Sequence, residues 1–273
     1  MTDSALKASI FQRLHPRAYL ERFVAEDIRP DGRPFDAWRD VSVNVGSIST
    51  ANGSALVRLG ETTIVCGVKA EIAEPELDTP EDGFLVPNID LPALCSPKFK
   101  PGPPSDEAQV LSDRLNEVLA SIIPLKSLVI HSSKAVWVLY VDATCINYDG
   151  NVFDAALIAM VAALRNTLLP KATYNIETGL TSCSRTVTTP LQILKTPVCM
   201  SFGVFDATLL ADPTAFEEPL LDTTISIVVD EKGDLVSVVQ LGPGVDVSGG
   251  GDTLSTCISA AKSRRVLLEG QIP

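Results

Sequence analysis

Ala155-Ala156-Leu157-Ile158-Ala159-Met160-Val161-Ala162-Ala163-Leu164 is an unbroken apolar run, and the apolar character persists with few interruptions to Leu169. A helix over 155–169 has no polar face to offer water, so most of its surface must be buried. No stretch of the chain reaches the 18 apolar residues of a membrane span, which leaves protein to do the burying. Upstream, Ala135 to Ile146 reads as a long strand closed by the turn signal Asp149-Gly150. Before that strand, Ser105 is placed to cap a helix whose first turn carries Asp106 and Glu107, with Ala108, Leu111, Leu115, Val118 and Ile122 as its buried stripe. Residues 54–59 and 62–68 flank Gly60-Glu61, a two-residue hairpin signal of the II′ kind, and Val41, Val43 and Val45 alternate as a half-buried strand.

Between hairpin and helix, residues 75–104 are rich in proline and acid with little periodicity, which predicts a functional or partner-binding loop. The first residues read as an amphipathic helical segment interrupted at Pro16, followed by the turn Arg29-Pro30-Asp31-Gly32-Arg33-Pro34. Beyond Pro170 a linker is expected. Strands then follow over 198–205, 207–211, 223–230 and 235–240, a glycine-rich stretch over 242–251, and a final helix capped by Asp252 with Leu254, Cys257, Ile258, Ala261 and Leu268 on its core face. The organisation predicted is a helical extension over 1–28, a first half over 29–190 and a second half over 191–273. Each half places antiparallel strands before a helix, an α+β plan with helices packed on a sheet face.

The 273 residues carry 34 acids against 22 bases, a formal charge of −12, and 45% of them are apolar, a globular composition. That balance argues against a protein that coats nucleic acid by charge alone. The acidity is local, however. Residues 71–90 hold seven acids and no base, and residues 206–231 hold seven more, again with no base. The remainder is close to neutral, so net charge describes no particular surface. Six cysteines at least 16 residues apart and two histidines form no zinc pattern, and they read as reduced thiols of a cytosolic or nuclear protein. The N-terminus lacks the apolar core and cleavage site of a secretory signal.

Few residues suggest chemistry. Asp212, Glu217, Glu218 and Asp222 gather carboxylates in one loop, either a Mg²⁺ or Mn²⁺ site or a solvated connection. Gly249-Gly250-Gly251 ahead of a helix reads as an anion cradle or as a flexible loop. Lys98, Phe99 and Lys100 form a cation-aromatic-cation tip, which suits a single nucleic-acid strand but equally a loop with one anchoring ring. His15 and His131 lie outside any nucleophile motif. Lys262, Arg264 and Arg265 are accounted for by the dipole at the end of the last helix.

Several segments together resemble RNase PH-type proteins: Arg29 to Arg33, Gly53 to Val57 through Gly60 to Thr63, and Tyr148-Asp149-Gly150-Asn151 with Asp154-Ala155-Ala156. Val86 to Pro92, Pro101 to Pro104, and Asp212-Pro213-Thr214 with Glu217-Glu218 narrow the resemblance to the non-catalytic branch of the eukaryotic RNA exosome core ring. The resemblance spans residues 17–265. It implies an RNase PH-like fold of two βα halves, of the ribosomal-protein-S5-domain-2-like type, with helices packed on mixed or antiparallel sheets.

Active members of that family let inorganic phosphate attack the 3′-terminal phosphodiester of RNA. A phosphate nucleophile held near a phosphodiester requires cationic donors. Active relatives carry them in a Gly-Gly-Thr/Ser-Arg-like stretch leading into the apolar helix, and as arginines near the start of the preceding helix. Here the corresponding stretches are Asp149-Gly150-Asn151-Val152-Phe153-Asp154 and Pro104 to Gln109, with no arginine. A carboxylate ~5 Å from phosphate at an effective dielectric of 20 costs roughly 3 kcal/mol. Asp212 and Glu218 keep the six-residue spacing of the family's metal-site acids, with Glu217 beside them as a degenerate acidic site.

The resemblance therefore implies a chain with no catalytic residue, no bound metal and no cofactor. Its implied place is a hexameric ring with other RNase PH-like subunits, beneath S1/KH-type RNA-binding cap proteins, passing RNA through the channel to a separate hydrolytic nuclease. Lys98, Phe99 and Lys100 are its candidates for touching that RNA. The expected setting is the nucleus, nucleolus included, and the cytoplasm, with no membrane partner. Two other readings stay open: an active phosphate-dependent 3′-to-5′ exoribonuclease using Asp212 and Glu218, and an acidic adaptor that binds basic proteins and no RNA.

Overall fold

The computed structural model describes residues 3–243 and 253–270. The chain begins with two helices, α1 (Asp3–Leu14) and α2 (Pro16–Val24), divided where Pro16 takes the first helical position and needs no N–H partner. The first half builds one sheet from β1 (Val41–Val45), β2 (Gly53–Leu59), β3 (Thr62–Ala73), β4 (Phe84–Asp90), β5 (Val129–His131) and β6 (Ala135–Asn147). Its order is β1-β2-β3-β6-β4, with β5 also on β6. The β2–β3 hairpin turns on Gly60 and Glu61, pairing Leu59 with Thr62. Gly60 has φ +57 and Glu61 keeps a negative φ, as a II′ turn demands. Helix α3 (Asp106–Leu119) starts at Ser105, whose hydroxyl accepts the Ala108 N–H, and buries Ala108, Leu115 and Val118 as the stripe predicts.

The apolar run becomes α4 (Val152–Arg165), and every residue from Val152 to Leu164 is buried. After it come β7 (Leu168–Tyr174), β8 (Thr181–Pro190), β9 (Val198–Phe205), β10 (Thr208–Ala211), β11 (Thr223–Val229), β12 (Leu235–Leu241) and α5 (Thr253–Leu268). The second half is an antiparallel sheet of order β10-β9-β11-β12, with α5 against β9 and β11. Helix α4 lies against β1, β2, β3 and β6 of the first sheet and β9 of the second, so both halves share one core. The approach to the first sheet is close: a Cβ on Gly53 would sit 2.5 Å from the Ala163 carbonyl. A smaller apolar cluster of Leu20, Phe205 and Leu210 seats α2 on the second half, with Tyr19 edge-on to Phe216 at 5.8 Å.

The α+β plan therefore holds, with a mixed first sheet and an antiparallel second one. Three expectations need correction. The 75–104 segment is not all loop, because β4 runs parallel to β6 and pairs Phe84 with Val138 through Asp90 with Thr144. It is an edge strand, where Pro87 costs no central ladder bond, and only Ile89 is fully buried, so no apolar alternation marks it. The region after Pro170 is not a linker but the β7–β8 hairpin, polar and mostly exposed, with the apolar helix ending at Arg165 and Leu168-Leu169 already in β7. The helix also begins earlier than expected, at Val152. The glycine triplet 249–251 and the Asp252 cap lie outside the described residues.

All six cysteines are free, and Cys183 alone of them is exposed. Among the described residues no helix is long and apolar enough to cross a membrane. Because α4 joins the two halves, Leu157→Ala in its centre should cost about 2–5 kcal/mol in urea unfolding. Leu180→Ala, at an exposed position 70% accessible, should stay within about 0.5 kcal/mol.

Candidate functional site

Three arginines from the segment before β1 enter the second half and meet the acidic loop after β10. Arg29 is fully buried. Its guanidinium donates from Nε to Glu217 Oε1 at 2.9 Å, from Nη1 to the Ala211 carbonyl at 2.6 Å, and from Nη2 to the Asp212 carbonyl and to Glu217 Oε2. Glu217 Oε2 also accepts the Thr214 N–H at 2.8 Å. Asp31 turns back on Arg33, at 2.7 Å, and Arg33 Nη1 reaches Asp212 Oδ2 at 3.2 Å. Arg39 approaches Asp212 from backbone N (2.9 Å), Nε (2.8 Å) and Nη2 (2.8 Å), while its Nη1 donates to Asp149.

Asp212 consequently has two oxygens occupied by Arg39, Arg33 and the Asn151 amide, the last at 2.7 Å. Burial alone would raise this carboxyl, but the hydrogen bonds and charge of Arg39 outweigh it and hold the group below its ordinary 3.8. A divalent cation needs carboxylate lone pairs facing an open position. Those of Asp212 face guanidinium and amide donors, so the residues do not fit a metal. Among the described residues no group of three or more metal-ligating side chains is disposed to hold one.

Glu218 points the other way, to the start of α4. The turn there is forced: Gly150 has φ +76, and a Cβ on it would lie 2.5 Å from the Thr214 carbonyl carbon and the Ala215 nitrogen. Asn151 follows with φ +52. Glu218 Oε1 accepts the Asn151 N–H at 2.7 Å and Oε2 accepts the Tyr148 hydroxyl at 2.6 Å. A helix N-terminus attracts anions, and in this chain a side-chain carboxylate already occupies that place. Burial raises the Glu218 carboxyl, against its hydrogen bonds. Asp154, in the first turn of α4, is buried against Ser201, whose N–H and hydroxyl donate at 2.8 and 2.7 Å. Burial raises its carboxyl too. It ties α4 to β9.

The acidic residues singled out from sequence thus separate into distinct roles. Glu217 holds Arg29, Asp212 holds Arg33 and Arg39, Glu218 caps α4, and Asp222 faces Arg17 at 3.3 Å on the surface. In the cation-aromatic tip, Phe99 is buried edge-on to Tyr148 at 5.2 Å, and Lys98 pairs with Glu107 at 2.8 Å over the Phe99 and Tyr148 rings. Lys100 is exposed.

Sequence reasoning missed Arg114. Neither helix start bears an arginine, yet Arg114 reaches from within α3 into a pocket of ≈ 120 Å³ beside Tyr148, Asn151, Ser201 and Glu218. Its guanidinium lies 4.1 Å from the centre of the Phe153 ring. The signal was its place three residues after Leu111 on the inward side of α3.

Comparison with known proteins identifies two matched domains: the 3' exoribonuclease family, domain 1, over residues 37–170, and domain 2 of that family over residues 195–264. The chain is 44% identical to exosome complex component rrp43 of Schizosaccharomyces pombe, covering 94% of each chain. It is 37% identical to exosome complex component Rrp42 of Pyrococcus abyssi, covering 89% of this chain and 87% of that one. In structure it resembles a chain of the Archaeoglobus fulgidus exosome with RNA bound to the active site, with a TM-score of 0.82, 29% identity, and coverage of 98% and 100%.

Removing Arg29 would leave Glu217 charged and buried, so Arg29→Ala should cost about 3–5 kcal/mol in denaturant unfolding. A lowered native pKa means that the Asp212 contribution is complete above 3.8 and fades as pH falls toward the native value. Asp212→Asn should therefore be much less stable than the parent at neutral pH, and the gap should close below pH 3.8. A gap independent of pH would assign its effect to shape and not to charge.

Proposed function

Since the chain belongs to the 3' exoribonuclease family, with both of that family's domains matched, we propose that it is a structural, non-catalytic subunit of an RNA exosome ring. The observation that carries this reading is the Glu218 carboxylate on the Asn151 N–H at 2.7 Å, in the position where an anion would meet the α4 N-terminus. A phosphate arriving there meets a carboxylate in place of a donor, and the companion acid Asp212 is closed off by arginine. The relatives named as exosome components support the ring assignment.

In this reading the chain's neighbours are other RNase PH-like subunits, capped by S1/KH-type RNA-binding proteins. RNA runs through the shared channel to a separate hydrolytic nuclease, in RNA degradation and rRNA processing, in nucleus, nucleolus and cytoplasm. Exposed Lys100 is then the residue of the 98–100 tip best placed to meet the strand.

One observation favours the alternative, a phosphate-dependent exoribonuclease: Arg114 supplies a cation to the same pocket. Glu107 and Glu218 line that pocket as well, so two acids face one base. Incubating the purified chain with oligoadenylate, inorganic phosphate and Mg²⁺ separates the two. The structural reading expects no ADP above background. Phosphate-dependent ADP release that disappears in Arg114→Gln would establish the enzyme.

A further inference from the structure

Away from this site, at the other end of α4, a cavity of ≈ 450 Å³ opens between the end of α4, the 193–196 segment and the last turn of α5. Arg165, Lys195 and Arg265 line it, with Ile193, Leu194, Thr196, Glu231 and Glu269. Arg265 is only 7% exposed, and its Nε is buried without a partner. Its Nη2 makes two long contacts to Thr196, 3.3 Å to Oγ1 and 3.5 Å to the carbonyl.

The contrast with the other buried arginines is informative. Arg29 is bound by Glu217 and Arg39 by Asp212 and Asp149, whereas no carboxylate among the described residues reaches Arg265. The dipole at the end of α5 is worth about 0.3–1 kcal/mol to a cation there, and an uncompensated buried charge costs several times that. Among the described residues the guanidinium therefore has no carboxylate in ion-pair contact, and its accessible edge faces a cavity walled by two further cations and by Glu231 and Glu269.

We infer that this cavity binds a small phosphate-bearing anion, with Arg265 as its buried anchor, Arg165 and Lys195 as flanking charges, and Ile193 and Leu194 against any apolar remainder. Its charge balance selects the size of the ligand. Three cations against Glu231 and Glu269, with Lys195 also shared with Asp230, leave a small local positive balance that suits a compact anion better than a long polyanion. Lys195 already shares its charge with Asp230 at 3.5 Å, and Glu231 is turned to the Thr196 N–H at 2.9 Å, so neither closes the cavity against Arg265. The inference stands apart from the ring reading, since none of these residues belongs to the Glu218 site.

The test is a ³¹P NMR titration of the full-length chain with inorganic phosphate and with AMP, at constant ionic strength. Saturable binding with a dissociation constant on the order of 1 mM is expected, AMP being at least as tight as phosphate. Arg265→Gln should abolish it. Should that variant fail to fold, exposed Arg165→Gln decides, with an expected weakening of about tenfold. Lys134→Gln, at an exposed position that lines neither pocket, should leave the affinity unchanged. Absence of saturable binding in the parent, or a loss caused by Arg114→Gln and not by Arg165→Gln, would overturn the assignment.

Discussion

A helix with no polar face has to be enclosed, and the enclosure of α4 organises this molecule. One sheet can cover only one side of a helix. The first sheet takes the side facing β2 and β3, and the second half must supply β9 for the other. The two halves are thereby joined through a single core, and the chain behaves as one doubled unit. The polar ends of α4 follow from the same constraint. Its buried Asp154 needs Ser201 of β9, and its first N–H needs Glu218 from the loop beyond β10.

The arginine clamp is the second consequence. Bringing the acidic loop against the α4 start buries Asp212 and Glu217, and buried carboxylates require partners. Arg29, Arg33 and Arg39 provide them from a segment that precedes the first sheet. The acidity of residues 206–231 is therefore partly internal, with Asp212 and Glu217 answered by three arginines inside the molecule. The solvent-facing excess lies more in residues 71–90, around β4. A net charge of −12 thus argues neither for nor against RNA at any one face.

Much of this was legible in the sequence. The β2–β3 hairpin, the Ser105 cap and the α4 run carry local signals, in turn chemistry, side-chain capping and periodicity; the first two form where expected, and the helix forms on the expected run with its ends shifted to Val152 and Arg165. Strand β4 and the β7–β8 hairpin were not legible, because one is an edge strand bearing Pro87 and the other exposes most of its residues, so neither has a buried face to imprint a pattern. The acids Asp212, Glu217 and Glu218 could be picked out as a cluster. Their separate tasks could not, because the partners Arg29 and Arg39 stand 188 and 173 residues away in the chain. Arg114 was hidden for a related reason: it belongs to the site by the packing of α3 on α4, not by proximity to either helix start.

In the proposed reading, the features that would set this site apart from an active phosphorolytic one are structural features in their own right. Glu218 serves as a helix cap and Asp212 as the anchor of two arginines, and both tasks hold the two halves together. The central claim is that this chain works as one member of a ring. Native mass measurement of the complex purified through a tag on this chain tests it most directly. The account predicts a discrete assembly holding one copy of this chain among several different RNase PH-like subunits. A lone monomer, or an assembly of this chain with itself only, would contradict it.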